Sequence, residues 1–252
     1  MNGRNHNNST LHMTPHSHTF IPPPGYTRIK AVRSFVELIT TPMSNGINAL
    51  CWQRTLPGDF CEIVGCLGVI REITTLDHTS LLALPLSPAG QTARDILIQD
   101  QYLLREAGLA PSLDCIPTYP RDADAGPVPT DVYSFHADSA TVVADTYLCS
   151  YTEAASEGLR NDEARRRVDI PETRAALLKL YGGADDDLFA AYLNDHCYDL
   201  HYAPIADARP FNFGLGNLWR IATEYPDSLV PPCIHRAPTT LPGRPPRLLL
   251  IS

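Results

Sequence analysis

Three residues of this chain have the types and the spacing to hold one metal ion. His136 and Asp138 stand two apart in YSFHAD (133–138), and His235 stands in CIHRAP (233–238). A strand sends alternate side chains to opposite faces, so residues i and i+2 can reach one common atom. The same spacing also fits a polar pair at a strand end, with His136 and Asp138 hydrogen-bonded to each other and His235 capping a loop. Two imidazoles and one carboxylate from separate strands would make a facial triad, a donor set that suits Fe(II) and leaves positions open for oxygen. A structural zinc site more often recruits thiolates, and no cysteine lies at ligand spacing to His136.

Beyond His235 the chain carries Arg244 and Arg247, in LPGRPPRLLLIS. An arginine there can hold a carboxylate through a bidentate, charge-assisted pair, the grip that the far end of 2-oxoglutarate would need. Surface charge lying over PPRLLL is the alternative for both. A rival group, His196, Cys197 and His201 in NDHCYDLHY, is harder to assemble, because neighbours in sequence face opposite sides of a strand. His201 or Tyr202 at the mouth of the site is the more modest role. Trp52, Gln53 and Arg54 form a polar-aromatic knot whose Trp52 suits packing, with substrate contact as the alternative, and Tyr133, Tyr147 and Tyr151 lie near the triad in sequence, where a hydroxyl could bind 2-oxoglutarate or simply belong to a strand core. Arg165 to Arg167 suit a solvated face beside Asp162, Glu163 and Asp169.

Positioning these residues requires strands, and the second half of the chain supplies candidates in series: DVYSFHAD, TVVADTYLCSY, CYDLHYAPI, GNLWRIATEY, PPCIHRAP and RLLLIS. Short strands divided by turn signals indicate a sandwich, jelly roll or barrel. IPETRAALLKLYGG and ADDDLFAAYLNDH interrupt the series as helices, with Pro171 suited to a first turn, Gly182 and Gly183 to a stop, and Asp185 to Asp187 to a helix start. The first half is mixed. It offers a short helix in AVRSFVELI, a strand in INALCWQR, an apolar run in TSLLALPLS and a long amphipathic helix in GQTARDILIQDQYLLREAGL. PSLDCIPTYPRDADAGPVPTDV, dense in Pro, Asp and Gly, reads as a connection.

Bulk properties narrow the class. The chain has 252 residues with 44% hydrophobic content, enough for a single large core. Residues 1–24, rich in Asn, His and Pro, read as a disordered tail in which His12, His16 and His18 have no frame. Residues 25–252 read as one domain: a helix-bearing part over 25–125, then a β core over 126–252 with a helical insertion at 160–195. A net charge of -8 argues against a nucleic-acid surface. Seven scattered cysteines without a C-x-x-C pair point to a reducing compartment, and the sequence shows neither a signal-peptide core nor an apolar run of about 20 residues, so the expectation is a cytoplasmic protein that does not cross membranes.

Four pieces, in order, resemble the prolyl-hydroxylase-like members of the Fe(II)/2-oxoglutarate-dependent oxygenase superfamily. They are YSFHAD, DTYLCSYTEAASEGL, GLGNLWRI and IHRAPTTLPGRPPRLLLIS, spanning roughly 131 to 252. The chain also resembles a bacterial family known only as a domain of unknown function, through WQRTLP at 52–57, F-H-x-D at 135–138, H-R-x-P at 235–238 and the final RLLL. The oxygenase resemblance implies a double-stranded β-helix, a cupin-like jelly roll. It implies Fe(II) on His136, Asp138 and His235, and 2-oxoglutarate held by Arg247 as first choice and Arg244 as second. The reaction implied is O2-driven decarboxylation of 2-oxoglutarate coupled to oxidation of a C–H bond on a small molecule or amino-acid side chain. Two features depart from the pattern: Asn217 replaces the usual Asp of the GLGN turn, and the charged stretch ASEGLRNDEARRRVDIPETR is a larger helical insertion than compact hydroxylases carry. Two other readings stay open, a cupin-like metal enzyme without 2-oxoglutarate and a non-catalytic module that senses a metal or ligand.

Overall fold

A computed structural model describes residues 20–122, 126–240 and 243–252. The chain is mainly β, with two sheets and a set of helices. The first sheet has seven strands, in the order β1 (Ile29–Val32), β2 (Ala49–Trp52), β11 (Leu218–Ala222), β6 (Asp145–Ser150), β13 (Arg247–Ile251), β4 (Ser112–Ile116) and β3 (Thr74–Thr75). The second has six: β10 (Phe211–Asn212), β7 (Glu157–Leu159), β12 (Ile234–Arg236), β5 (Phe135–His136), β9 (His201–Pro204) and β8 (Ala164–Arg166). All pairings are antiparallel except that of β1 with β2.

Alternation along β13 assigns the two faces of the large sheet. Leu248 and Leu250 are fully buried with Leu38, Ile63, Leu81, Ala93, Leu97 and Leu104, all from the helical flank. Leu249, between them, instead packs with Ile116, Leu148 and Trp219 on the side that faces the six-stranded sheet. Each leucine buried in this way contributes about 2 kcal/mol of transfer free energy. The longest flanking helix, α4 (Pro88–Glu106), begins at Ser87, whose hydroxyl accepts from the Gly90 amide, with Pro88 in its first turn. Its buried stripe of Ala93, Leu97 and Leu104 follows helical spacing. α1 (Phe35–Thr40), α2 (Phe60–Cys66) and α3 (His78–Leu82) complete this layer, each starting at a capping Ser or Asp.

The predicted β series of the second half is present, as are the two helices of the insertion, α5 (Pro171–Tyr181) and α6 (Asp187–Asp195). Gly182 takes the left-handed conformation that ends α5, and Asp186 caps α6. These helices carry a small core of their own, Val128, Val168, Leu177, Phe189 and Leu193.

Four expectations need correction. Residues 112–116, read as part of a connection, form β4, an interior strand of the large sheet; the Pro and Asp density lies after Ile116, not within SLDCI. AVRSFVELI divides, its first residues completing β1 and only Phe35 onward forming α1, because Ser34 caps the helix there. Residues 160–170 of the expected helical insertion are short 3-10 turns and the strand β8, and β7 precedes them. The predicted tail overreaches: Phe20 is buried, edge-on to Trp219 at 4.7 Å between ring centres. The expectation for residues 1–19, with His12, His16 and His18, lies outside the described residues. No described helix is long and apolar enough to cross a membrane.

Candidate metal centre

His136 and His235 sit directly opposite each other on the paired strands β5 and β12, so both side chains leave the same face of the six-stranded sheet. Their ring centres are 4.6 Å apart. Asp138 follows two residues after His136, where β5 has ended, and its backbone is held by the Glu224 amide, which donates to the Asp138 carbonyl at 2.7 Å. The nearest ligand atoms of the three residues lie within 4.8 Å of one another. His136 Nε2 stands 3.8 Å from Asp138 Oδ1, and His235 Nε2 stands 3.7 Å from Asp138 Oδ2. Both separations exceed hydrogen-bond length, so the polar-pair alternative, which needs a direct bond, is not what this geometry makes.

The surroundings orient each donor. His136 Nδ1 lies 2.8 Å from the Ser134 carbonyl. A carbonyl oxygen only accepts, so Nδ1 carries the hydrogen and the Nε2 lone pair faces the cluster. His235 Nδ1 makes the equivalent, longer contact of 3.3 Å with the Cys233 carbonyl. The Thr146 hydroxyl donates to Asp138 Oδ2 at 2.6 Å. Burial, reinforced by neighbouring His235, pushes the His136 imidazole well below its ordinary pKa, which keeps it neutral near pH 7. Burial raises the Asp138 carboxyl, but His235, the Thr146 hydroxyl and His136 outweigh it and hold the group below the usual carboxylate value. Two imidazoles with one ionised carboxylate are donors that could hold a divalent cation such as Fe(II).

These three residues share a cavity of about 270 Å³ between the sheets with Arg247, the first residue of β13. Arg247 is 4% exposed. Its Nη1 donates to the Tyr119 hydroxyl at 3.1 Å, and Nη2 donates to the hydroxyls of Ser150 and Ser156 at 2.8 and 2.7 Å. Its Nε is buried without a partner, and among the described residues no carboxylate pairs with it. Burial lowers the Arg247 pKa, yet a guanidinium stays charged, so a positive group with no carboxylate in contact stands in the cavity wall. Arg244 is elsewhere: its side chain is 65% exposed and faces Glu153 at 3.5 Å, so the structure brings only one of the two candidate arginines to the triad.

His201 is buried across from His136 on β9, with ring centres 5.7 Å apart, whereas Cys197 of the rival group is exposed and none of the three joins a metal cluster among the described residues. Tyr147 and Tyr151 point to the helical side of the large sheet and are not at the site. Tyr133 is close by: its hydroxyl accepts from the Tyr119 amide at 3.1 Å and so positions the residue that touches Arg247. Asn217 is buried, with its side chain accepting from the Arg54 amide and donating to the Phe213 carbonyl, which suits the turn that Asp was expected to make. Trp52 packs against the helix-side core with the Arg54 guanidinium over its ring.

Sequence reasoning missed Tyr119, Thr146, Ser150 and Ser156. Alternation along DTYLCS does place Ser150 on the same face as Leu148, but nothing local marks that face as the one toward Arg247. Gly158 was also missed. It lies opposite His235 on β7, and a Cβ there would fall 2.2 Å from Phe211 Cζ and 2.7 Å from Phe213 Cε1. Compared with protein-family models, with curated proteins and with solved structures, the chain matches none.

Proposed function

We propose that this protein is an Fe(II)- and 2-oxoglutarate-dependent oxygenase built on a double-stranded β-helix, oxidising a small molecule or an amino-acid side chain. The observation that supports it is one cavity holding two imidazoles and the Asp138 carboxylate within ligand reach of one another, with a buried arginine that no carboxylate pairs among the described residues. His136, Asp138 and His235 would hold the metal through Nε2, a carboxylate oxygen and Nε2. Arg247, with the Ser150 and Ser156 hydroxyls beside it, would hold the distal carboxylate of 2-oxoglutarate. Iron with 2-oxoglutarate and O2 would supply the oxidation of a substrate C–H bond. The chain's own work is to orient the imidazoles through the Ser134 and Cys233 carbonyls, keep Asp138 ionised through Thr146, and line the cavity with Ile116, Leu148 and Leu249, which exclude water.

Anaerobic addition of Fe(II) and 2-oxoglutarate is expected to produce the weak visible charge-transfer band of a chelated complex, abolished in His136→Ala. Binding of metal with no affinity for 2-oxoglutarate would favour a cupin-like metal enzyme instead, and binding of neither would end the assignment.

A further inference from the structure

One acidic side chain in the same cavity has no place in the metal or cosubstrate scheme. Asp114 lies on β4, opposite Leu249 of β13, with both side chains on the inner face of the large sheet. Arg247 is two positions away from Leu249 along β13, a spacing of about 7 Å along a strand. The Asp114 Oδ1 atom accepts from the Thr75 hydroxyl at 2.6 Å and the Ser112 hydroxyl at 2.8 Å. Its Oδ2 atom has no hydrogen-bond partner among the described residues, and no described cation pairs with it. The rim of the cavity carries three apolar side chains that remain open to solvent: Ile73 at 45%, Val132 at 36% and Ile251 at 36% exposure.

The cavity therefore has a cationic end at Arg247, an anionic wall at Asp114 and a hydrocarbon rim. Partly buried carboxylates attract cations more strongly than exposed ones, because the low-dielectric lining weakens screening. Two hydroxyls fix Oδ1, so the orientation of the free Oδ2 is set before any ligand arrives. The exposed rim offers cover for a short hydrocarbon stem.

We infer that Asp114 is the specificity-determining residue for the substrate, selecting a primary ammonium group carried on a short hydrocarbon chain. The inference rests on the reading of this cavity as the oxygenase active site, and its test is separable from that reading because it needs no metal. n-Pentylamine, protonated at pH 7.5, is titrated into the metal-free full chain beside its neutral isostere 1-pentanol, with binding followed by saturation-transfer NMR. The amine should bind about tenfold or more tightly than the alcohol, the range for a hydrogen bond to a charged group. Asp114→Asn keeps the acceptor used by Thr75 and Ser112, and should reduce the amine to the level of the alcohol. Ile251→Lys, at a partly exposed position, should place a competing ammonium at the rim and abolish the preference as well. Equal binding of amine and alcohol by the unaltered protein, absence of amine binding, or a preference that survives Asp114→Asn would overturn the inference. An iron and 2-oxoglutarate charge-transfer band without amine preference would remove only the role of Asp114. Amine preference without any such band would remove the oxygenase reading and leave Asp114 as an ammonium site.

Discussion

Replacing Arg247 with methionine separates its function from its structural worth. In the protein the guanidinium makes three hydrogen bonds to neutral hydroxyls and leaves Nε unpaired at 4% exposure. Hydrogen bonds to a charged group contribute roughly 1.5–3 kcal/mol each, about 5–9 kcal/mol for three. Against this stand a desolvation penalty of several kcal/mol for a buried ion and roughly 1–3 kcal/mol for the unpaired Nε. The opposing sums are of similar size, so Arg247→Met should unfold within about 5 °C of the unaltered protein, since roughly 2–4 °C corresponds to 1 kcal/mol in a chain of this size. The ligand response should differ sharply. With Mn(II) as a redox-inert ion, 2-oxoglutarate at about one hundred times its Kd adds about 2.7 kcal/mol, a rise of roughly 5–10 °C in Tm. Thermal unfolding with ion alone and with ion plus 2-oxoglutarate reads both effects. The variant should retain the response to the ion and lose the further rise. If it responds to 2-oxoglutarate as the unaltered protein does, or loses more than about 10 °C without ligand, Arg247 is not the unpaired cosubstrate anchor proposed above.

Thr146→Val removes the hydroxyl that fixes Asp138, and should weaken metal binding roughly 10- to 100-fold, measured by competition with a chromogenic chelator, with little change in apo Tm. Arg54→Ala strips the charged partner from Asp100, which is bound at 2.6 and 2.8 Å and is 3% exposed, leaving it only the Tyr151 hydroxyl; it should cost about 3–5 kcal/mol in chemical denaturation, whereas Arg54→Met with Asp100→Leu and Tyr151→Phe should recover most of the loss. Burial, then the nearby Arg167, pushes the His201 imidazole down from 6.5 to about 4. Because the unfolded chain binds this proton more readily, stability should be level above pH 6.5 and fall as pH drops from 6.5 towards 4. The share of the loss due to His201 should reach about 2–3 kcal/mol at the lower limit, and His201→Gln should make that part of the urea-denaturation profile shallower, leaving the part due to His136.

Much of the β core was legible because strands such as RLLLIS and GNLWRIATEY are short, apolar and bounded by Pro or Gly. Their alternation also carries which side of the large sheet each residue faces. β4 was hidden by its neighbours: five strand residues stand between Pro111 and Pro117, and a composition window averages them with the loop that follows. β7, in a charged stretch, has too few residues for alternation to register. At the site, the triad could be read because residue type and chain order together are restrictive. Choosing Arg247 over Arg244 required knowing which one begins a strand whose first side chain points inward. The shell of Tyr119, Thr146, Ser150 and Ser156 was illegible because hydroxyls are common and nothing but the folded register brings these four together. The Arg54–Asp100 pair, 46 positions apart, is likewise a product of tertiary packing.

β5 contributes two residues and β12 three, yet their single paired position joins His136 to a partner 99 positions later in the chain. Closing a flexible loop of that length costs about 4 kcal/mol in chain entropy, and so short a ladder returns little to offset it. This junction is therefore a late and weakly secured step in folding, completed only after the flanking strands have aligned. An ion bound across it would act as a cross-link between distant parts of the chain, so metal supply would govern maturation as well as activity. Hydrogen exchange at the Ala137 amide, which bonds to the Leu200 carbonyl beside this junction, should slow markedly when the ion is added, while exchange within α4 stays unchanged.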